Sequence, residues 1–222
     1  MSFSVYLVRH GQTYLNLYNR MQGWCDSPLT DKGKNDARLA GKRLANKHFD
    51  YVFHSDTMRT KRTCEAILAA NNATPADLKP KELRNFREQS FGYFEGADGN
   101  QAWRVIGAKH NCHSFKEVVD NYSLVETRDF IHEADPFGDA ESDAEFWSRV
   151  KIGFDYLREK IPDGKDVLVV SHAMTIRSIA KLFDDTLPNF PDPANGSVTK
   201  LTVDGHNFTV DYYNKTDEAF DY

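Results

Sequence analysis

A chain of 222 residues, 40% apolar and 27% charged, has an ordinary globular composition and enough length for a substantial core, as one domain with an insertion or as two small domains. Its net charge of −5 argues against a nucleic-acid partner, and no apolar run nears the ~20 residues of a membrane span. The start MSFSVYLVRHG lacks the features of an export signal, and Cys25, Cys64 and Cys112 form no CxxC site or paired framework, so reduced thiols and a cytoplasmic location are expected.

The first element is a buried strand over residues 4–8, ending at Arg9, His10 and Gly11. The stretch PLTDKGKNDARLAGKRLANK predicts a helix capped by Thr30, with Ala37, Ala40, Leu44 and Ala45 on one face. YVFHS, 51–55, is a second strand, and TMRTKRTCEAILAA a second helix with Met58, Cys64, Ile67 and Leu68 inward. A third strand is expected near 79–84. Residues 97–140 fit no strand–helix alternation: they carry weak helical periodicity around QAWRVIGAKH and FKEVVDNY and read as a lid inserted between sheet elements. In 142–161, Phe146, Val150, Phe154, Leu157 and Ile161 recur at helical steps, and Pro162 and Gly164 end the helix. DVLVVSH, 166–172, has the continuous apolar character of a strand covered on both faces, followed by the helix MTIRSIAKLF. The Pro-rich 186–196 is a rigid loop, and SVTKLTVDGHNFTVDYY closes the chain as a hairpin. The pattern predicts a three-layer α/β/α sandwich with a mostly parallel central sheet, a terminal hairpin and a helical lid.

In such a sheet, ligands bind beyond the carboxyl ends of the strands. Those ends carry Arg9-His10-Gly11, Ser55 with Arg59 one turn on, and Ser171-His172; FREQSFGYFEG adds Glu88 and Glu95. Each alone has an ordinary explanation as a surface ion pair, a packed histidine or a solvated carboxylate. Converging on one edge, they have a chemical logic. Two arginines match a tetrahedral anion such as phosphate, an imidazole can attack phosphorus, and a carboxylate can protonate the leaving oxygen. Gly11 would let the backbone turn tightly and approach a bound phosphate.

The ordered motifs resemble the histidine phosphatase superfamily, in its phosphoglycerate mutase-like branch. LVRHGQTYLN is similar to the signature Arg-His-Gly-Glu-Thr followed by Asn. MQGWCDSPLTDKG, SDTMRTKRT, REQSFGYFEG and VLVVSHAMTIR resemble the elements that follow it, in the family's order, over residues 3–185. The resemblance implies one domain over 1–222 with its lid near 97–140. It implies that His10 accepts the phosphoryl group, that Arg9, Arg59 and His172 form the phosphate pocket, and that Asn16 binds phosphate. It further implies that Glu88 is the acid/base and that Gln22 and Gly23 contact the substrate. Gln12 departs from the usual Glu. Ala173 departs from the usual Gly, and its N–H still serves the phosphate unless φ there is positive.

Other residues are read more plainly. Arg62 is a surface residue, His54 a packed group, and Trp24 a candidate for the mouth of the cleft. Trp103, Phe115 and Tyr122 are lid packing. His110 and His113 flank Cys112, but with no fourth ligand no zinc site is expected, and no metal or cofactor is implied. The leading expectation is a phosphomonoesterase acting on a small phosphate ester through a phosphohistidine; His10 must be neutral to attack and His172 would serve best as a cation, and both titrate near neutral pH, so the sequence leaves their states open. The alternatives are a 2,3-bisphosphoglycerate-dependent phosphoglycerate mutase and a non-catalytic phospho-ligand binder. The mutase pattern of paired arginines for a substrate carboxylate is absent, leaving only Arg104 and Lys109 for that task. No partner protein is implied, and the pattern sets no oligomeric state.

Overall fold

The computed structural model describes residues 2–218 and 220–222. In chain order the elements are β1 (Ser2–Arg9), α1 (Tyr14–Leu17), α2 (Asp31–Arg43), β2 (Tyr51–His54), α3 (Met58–Ala70), β3 (Lys81–Glu82), α4 (Gly99–Gly107), α5 (Phe115–Asn121), α6 (Leu124–Ala134), α7 (Asp143–Lys160), β4 (Asp166–Ser171), α8 (Ala173–Phe183), β5 (Val198–Asp204) and β6 (Asn207–Lys215).

Six strands form one sheet in the order β3-β2-β4-β1-β5-β6. The β1–β4, β2–β4 and β2–β3 pairs are parallel, while β5 runs antiparallel to β1 and β6. Strand alternation sorts β1 between two cores. Val5 and Leu7 join Phe146, Val150, Phe154 and Leu157 of α7 and Ile176 and Ile179 of α8 on one face. Tyr6 and Val8 join Ala40 of α2 and Cys64 and Ile67 of α3 on the other. The result is the expected α/β/α sandwich, with β1 and β4 covered on both faces.

Helix starts follow the local chemistry. Thr30 accepts from the Gly33 N–H and caps α2, while Ser142 and Glu145 form a capping box on α7. Residues 97–140 fold as three helices around a third apolar cluster, in which Met21, Phe91 and Phe94 meet Trp103, Ile106, Val118 and Ile131.

Several elements differ from expectation. Helix α6 has apolar positions too sparse to stand out in sequence; it is fixed by Leu124 and Ile131 and by the buried Arg128, whose guanidinium bonds Asp143 and Ser178. Helix α2 ends at Arg43, so Ala45 lies beyond it, half-buried. Met58 points outward, while Arg59 and Thr60 beside it in the first turn of α3 take the buried face. β3 is only two residues long.

Candidate active site

The carboxyl ends of β1, β2 and β4 deliver the polar groups to one edge, beside the first turns of α3 and α8. His10 is 4% exposed. Its Nδ1 lies 2.8 Å from the Gly11 carbonyl, which can only accept, so the proton sits on Nδ1 and the Nε2 lone pair is free. Arg59 Nε donates to that Nε2 at 3.3 Å, and its Nη2 donates to His172 Nδ1 at 3.0 Å. His172 therefore carries its proton on Nε2 and donates to Ser55 Oγ at 2.7 Å. The two imidazoles meet edge to face with centroids 5.2 Å apart.

Arg59 is itself gripped by the chain that crosses it. Nη2 donates to the Gly23 carbonyl at 2.6 Å, and Nη1 to the Cys25 carbonyl at 2.8 Å and Asp26 Oδ1 at 3.0 Å. Burial first, then the Arg59 charge, hold both His10 and His172 well below the usual histidine range. His172 is thus neutral rather than the cation that would serve best: its Nδ1 accepts from a guanidinium, and a second positive charge there is disfavoured.

Glu88 is also buried. Oε2 accepts from the Met174 N–H at 3.0 Å, and Oε1 accepts from the Thr175 N–H at 3.0 Å and the Gln89 N–H at 3.1 Å. The Thr175 hydroxyl, shared with the Arg87 carbonyl, reaches the same Oε1 at 3.0 Å. Burial still raises its pKa, over the opposing pull of these donors at the start of α8.

A cavity of about 400 Å³ opens over this cluster. Arg9, His10, Asn16, Gln22, Glu88 and Ala173 line it, with Gln12 at the rim. Gln22 accepts from Thr13 Oγ at 2.6 Å and presents a buried Nε2 with no hydrogen-bond partner among the described residues. Asn16 spends its Oδ1 on the Thr13 N–H at 3.1 Å. Ala173 opens α8 without a positive φ, so its methyl group is accommodated.

Arg59, His172 and Gly23 stand behind this wall. Gly23 acts on Arg59, through its carbonyl, and a Cβ there would lie 2.1 Å from the Gln89 carbonyl. Gly11 serves a purpose other than the one expected. Its φ is not positive, and a Cβ would lie 2.1 Å from the carbonyl of Gly33 in α2. The glycine lets the loop that carries His10 seat on the first turn of α2. Gln12 belongs to the same seat, accepting from Thr30 Oγ at 3.0 Å where the family's Glu would also accept.

Trp24 does not reach the cavity mouth. Its indole N–H donates to the Glu88 carbonyl at 3.0 Å and its ring lies between Arg84 and Arg87. Glu95, set aside in sequence for Glu88, accepts from the N–H groups of Gly23, Trp24, Cys25 and Phe91. Burial and this carboxylate push the Cys25 thiol up to about 12, which makes it a poor nucleophile. His54 is buried against the Ser55 carbonyl, and Arg62 is exposed and paired with Glu65. Trp103 and Phe115 pack on each other and line the cavity, while Tyr122 packs on Phe130 outside it.

Sequence reasoning missed Arg149, which pairs with Glu141 and ties the carbonyls of Asn85, Arg87 and Glu88. It also missed Asp192 and Asn195, which face the cavity from the Pro-rich loop. No sequence motif marks these three: Arg149 reaches carbonyls more than 60 residues away, Asn195 bonds the His10 carbonyl from 185 residues away, and Asp192 meets Arg177 only through the path of its loop. Among the described residues no three His, Cys, Asp or Glu side chains are grouped to hold a metal ion, and no helix is long and apolar enough to cross a membrane.

The fold and site are those of a mostly parallel α/β protein with two buried imidazoles bridged by an arginine at the carboxyl edge of its sheet. The chain belongs to the histidine phosphatase superfamily, whose branch 1 profile matches residues 5–216. It is 30% identical to 2,3-bisphosphoglycerate-dependent phosphoglycerate mutase 2 of Gloeobacter violaceus over 182 residues, 82% of this chain and 76% of that protein. The crystal structure of phosphoglycerate mutase from Bacillus anthracis superposes with a TM-score of 0.91 at 32% identity, covering 98% of this chain and 95% of that one. A mycobacterial glucosyl-3-phosphoglycerate phosphatase shares the fold with a TM-score of 0.72 at 21% identity, covering 96% and 99%. The curated relatives it matches are named as enzymes, 2,3-bisphosphoglycerate-dependent phosphoglycerate mutases.

Proposed function

We propose that the protein is a phosphomonoesterase that hydrolyses a phosphorylated small molecule through a phosphohistidine on His10. The observation that carries this reading is the orientation of His10: with its proton held by the Gly11 carbonyl at 2.8 Å, Nε2 is an unprotonated nucleophile at the cavity floor. The phosphoryl group enters between Nε2 and Arg59, taking over the long 3.3 Å contact between them. Arg9 and Arg59 balance the anion, and Asn16, the free Nε2 of Gln22 and the Ala173 N–H complete its donors. Neutral His172 acts by aligning Arg59, and Ser55 fixes its tautomer.

His10 attacks phosphorus as the P–O bond to the alcohol breaks, and Glu88 gives its proton to the leaving oxygen. A water then attacks the phosphohistidine, its proton passes to Glu88, and inorganic phosphate leaves. The raised pKa of Glu88 favours holding that proton. The guanidinium charges make a metal unnecessary in this scheme, so activity should survive chelation. The 97–140 segment, within one domain over 1–222, serves as the lid and contributes Trp103, Ser114 and Phe115 to the cavity.

The relatives' names favour a second reading, a 2,3-bisphosphoglycerate-dependent mutase. Against it, Arg104 and Lys109 are both exposed and neither lines the cavity, which leaves no cation pair in the lid for a substrate carboxylate. Phosphate release from p-nitrophenyl phosphate, beside isomerisation of 3-phosphoglycerate with its bisphosphate primer, separates the two. Hydrolysis lost in His10→Ala supports the phosphatase. Hydrolysis that survives this change sinks the nucleophile, and efficient isomerisation sinks the phosphatase. Phosphate binding without turnover on a broad panel leaves a binder.

A further inference from the structure

Asp192 is an unexpected residue in the wall of a phosphate site. It lies on the 186–196 loop and lines the cavity together with Arg9 and Glu88. The loop is tied down at several points. Asn195 Nδ2 donates to the His10 carbonyl at 2.9 Å, and the Pro193 carbonyl accepts from Arg9 Nη1. The Asn189 carbonyl accepts from Arg177 Nη1, and Asn189 Nδ2 donates to the Val119 carbonyl of α5 at 3.1 Å. The carboxylate itself lies 2.7 Å from Nη1 of Arg177, a residue with no solvent exposure.

The charges of the cavity then nearly cancel. Arg9 and Arg20 supply the cations of its wall, and Glu88 and Asp192 the acids. Arg177, a further cation behind the wall, pairs with Asp192, and these five groups together carry a single net positive charge. A phosphate dianion is served by Arg9 and Arg59, but a second anionic group extending toward the 186–196 loop, away from Arg20, would face Asp192. The rest of the wall is neutral and includes Asn16, Asn100 and Ser114 together with the Trp103 and Phe115 rings. Amide and hydroxyl groups bond hydroxyls, and flat rings cover their carbon skeleton.

We propose that Asp192 is a specificity-determining residue, selecting phosphate esters of uncharged polyhydroxy alcohols and rejecting esters that carry a carboxylate. This rests on the phosphomonoesterase reading and narrows its substrate class. Asp192 acts in two ways: it repels a second anion, and it occupies the Arg177 cation that could otherwise receive one.

Glycerol 3-phosphate and 3-phosphoglycerate form a matched probe pair, differing only in CH₂OH against COO⁻. In the wild type, kcat/KM is expected to favour glycerol 3-phosphate by about 10-fold or more, the scale of one like charge in a partly screened cavity. Asp192→Asn and Asp192→Ser should each narrow that ratio by about 10-fold. A wild type that prefers 3-phosphoglycerate overturns the proposal, with no variant needed. So does a ratio unchanged in both variants, each checked for folding by circular dichroism. Calorimetric binding of the two probes gives the same ratio without turnover. Failure of the phosphatase reading therefore appears as silence toward p-nitrophenyl phosphate, and failure of this one as an unmoved binding ratio.

Discussion

Replacing Glu95 with alanine removes the acceptor shared by four backbone N–H groups: Gly23 at 3.0 Å, Trp24 at 2.7 Å, Cys25 at 3.0 Å and Phe91 at 3.0 Å. A hydrogen bond to a charged group contributes about 1.5–3 kcal/mol, so four would sum to roughly 6–12 kcal/mol if independent. They share one carboxylate, and Glu95 is half-buried, so water replaces part of the loss. A net cost of about 3–5 kcal/mol follows, in the range for breaking a buried network. The same change loosens residues 23–25, whose carbonyls hold both Nη atoms of Arg59. Activity should therefore fall with stability: kcat on p-nitrophenyl phosphate is expected to drop about 100-fold, equal to ~2.7 kcal/mol. Urea denaturation and steady-state kinetics on Glu95→Ala measure both. A stability loss under about 1 kcal/mol, or an unchanged kcat in a folded variant, would show that Glu95 is not what positions Arg59.

Other outcomes follow from the same geometry. His10 and His172 bind fewer protons folded than unfolded, so stability falls as pH drops below the ordinary histidine value of about 6.5, by up to ~1.4 kcal/mol per pH unit for each. The raised Glu88 acts in the opposite sense just above the ordinary carboxylate value of 4.5, since there its folded form holds a proton the unfolded chain has lost. Denaturation midpoints at pH 7.5, 6.5 and 5.5 test the slope, and a flat profile would contradict neutral imidazoles. For the same reason the acid limb of kcat/KM should lie below about pH 6.5. Gly33→Ala gains about 1 kcal/mol of helix propensity, but its Cβ would lie 1.9 Å from the Gln12 carbonyl, a backbone atom that cannot rotate away. Net destabilisation of about 2 kcal/mol or more is expected in thermal unfolding, with reduced activity because Gln12 lies two residues from His10.

Local chemistry was enough to place much of this molecule. The continuous apolar runs of β1 and β4 and the helical recurrence of Phe146, Val150, Phe154, Leu157 and Ile161 encode burial through repeats of a few residues. The Arg-His-Gly and Ser-His stretches encode their position through the strand ends that carry them, and Arg9, His10, Glu88 and Ala173 do meet in one cavity wall. Long-range packing decided the rest. It withdrew Arg59, His172 and Gly23 behind that wall, turned Gly11 toward Gly33, and made His172 neutral by setting its Nδ1 against a guanidinium. It brought Asp192 and Asn195 to the cavity of His10 across more than 180 residues of chain. A protonation state and a charge balance depend on every group within a few ångströms, and only the folded chain chooses those neighbours.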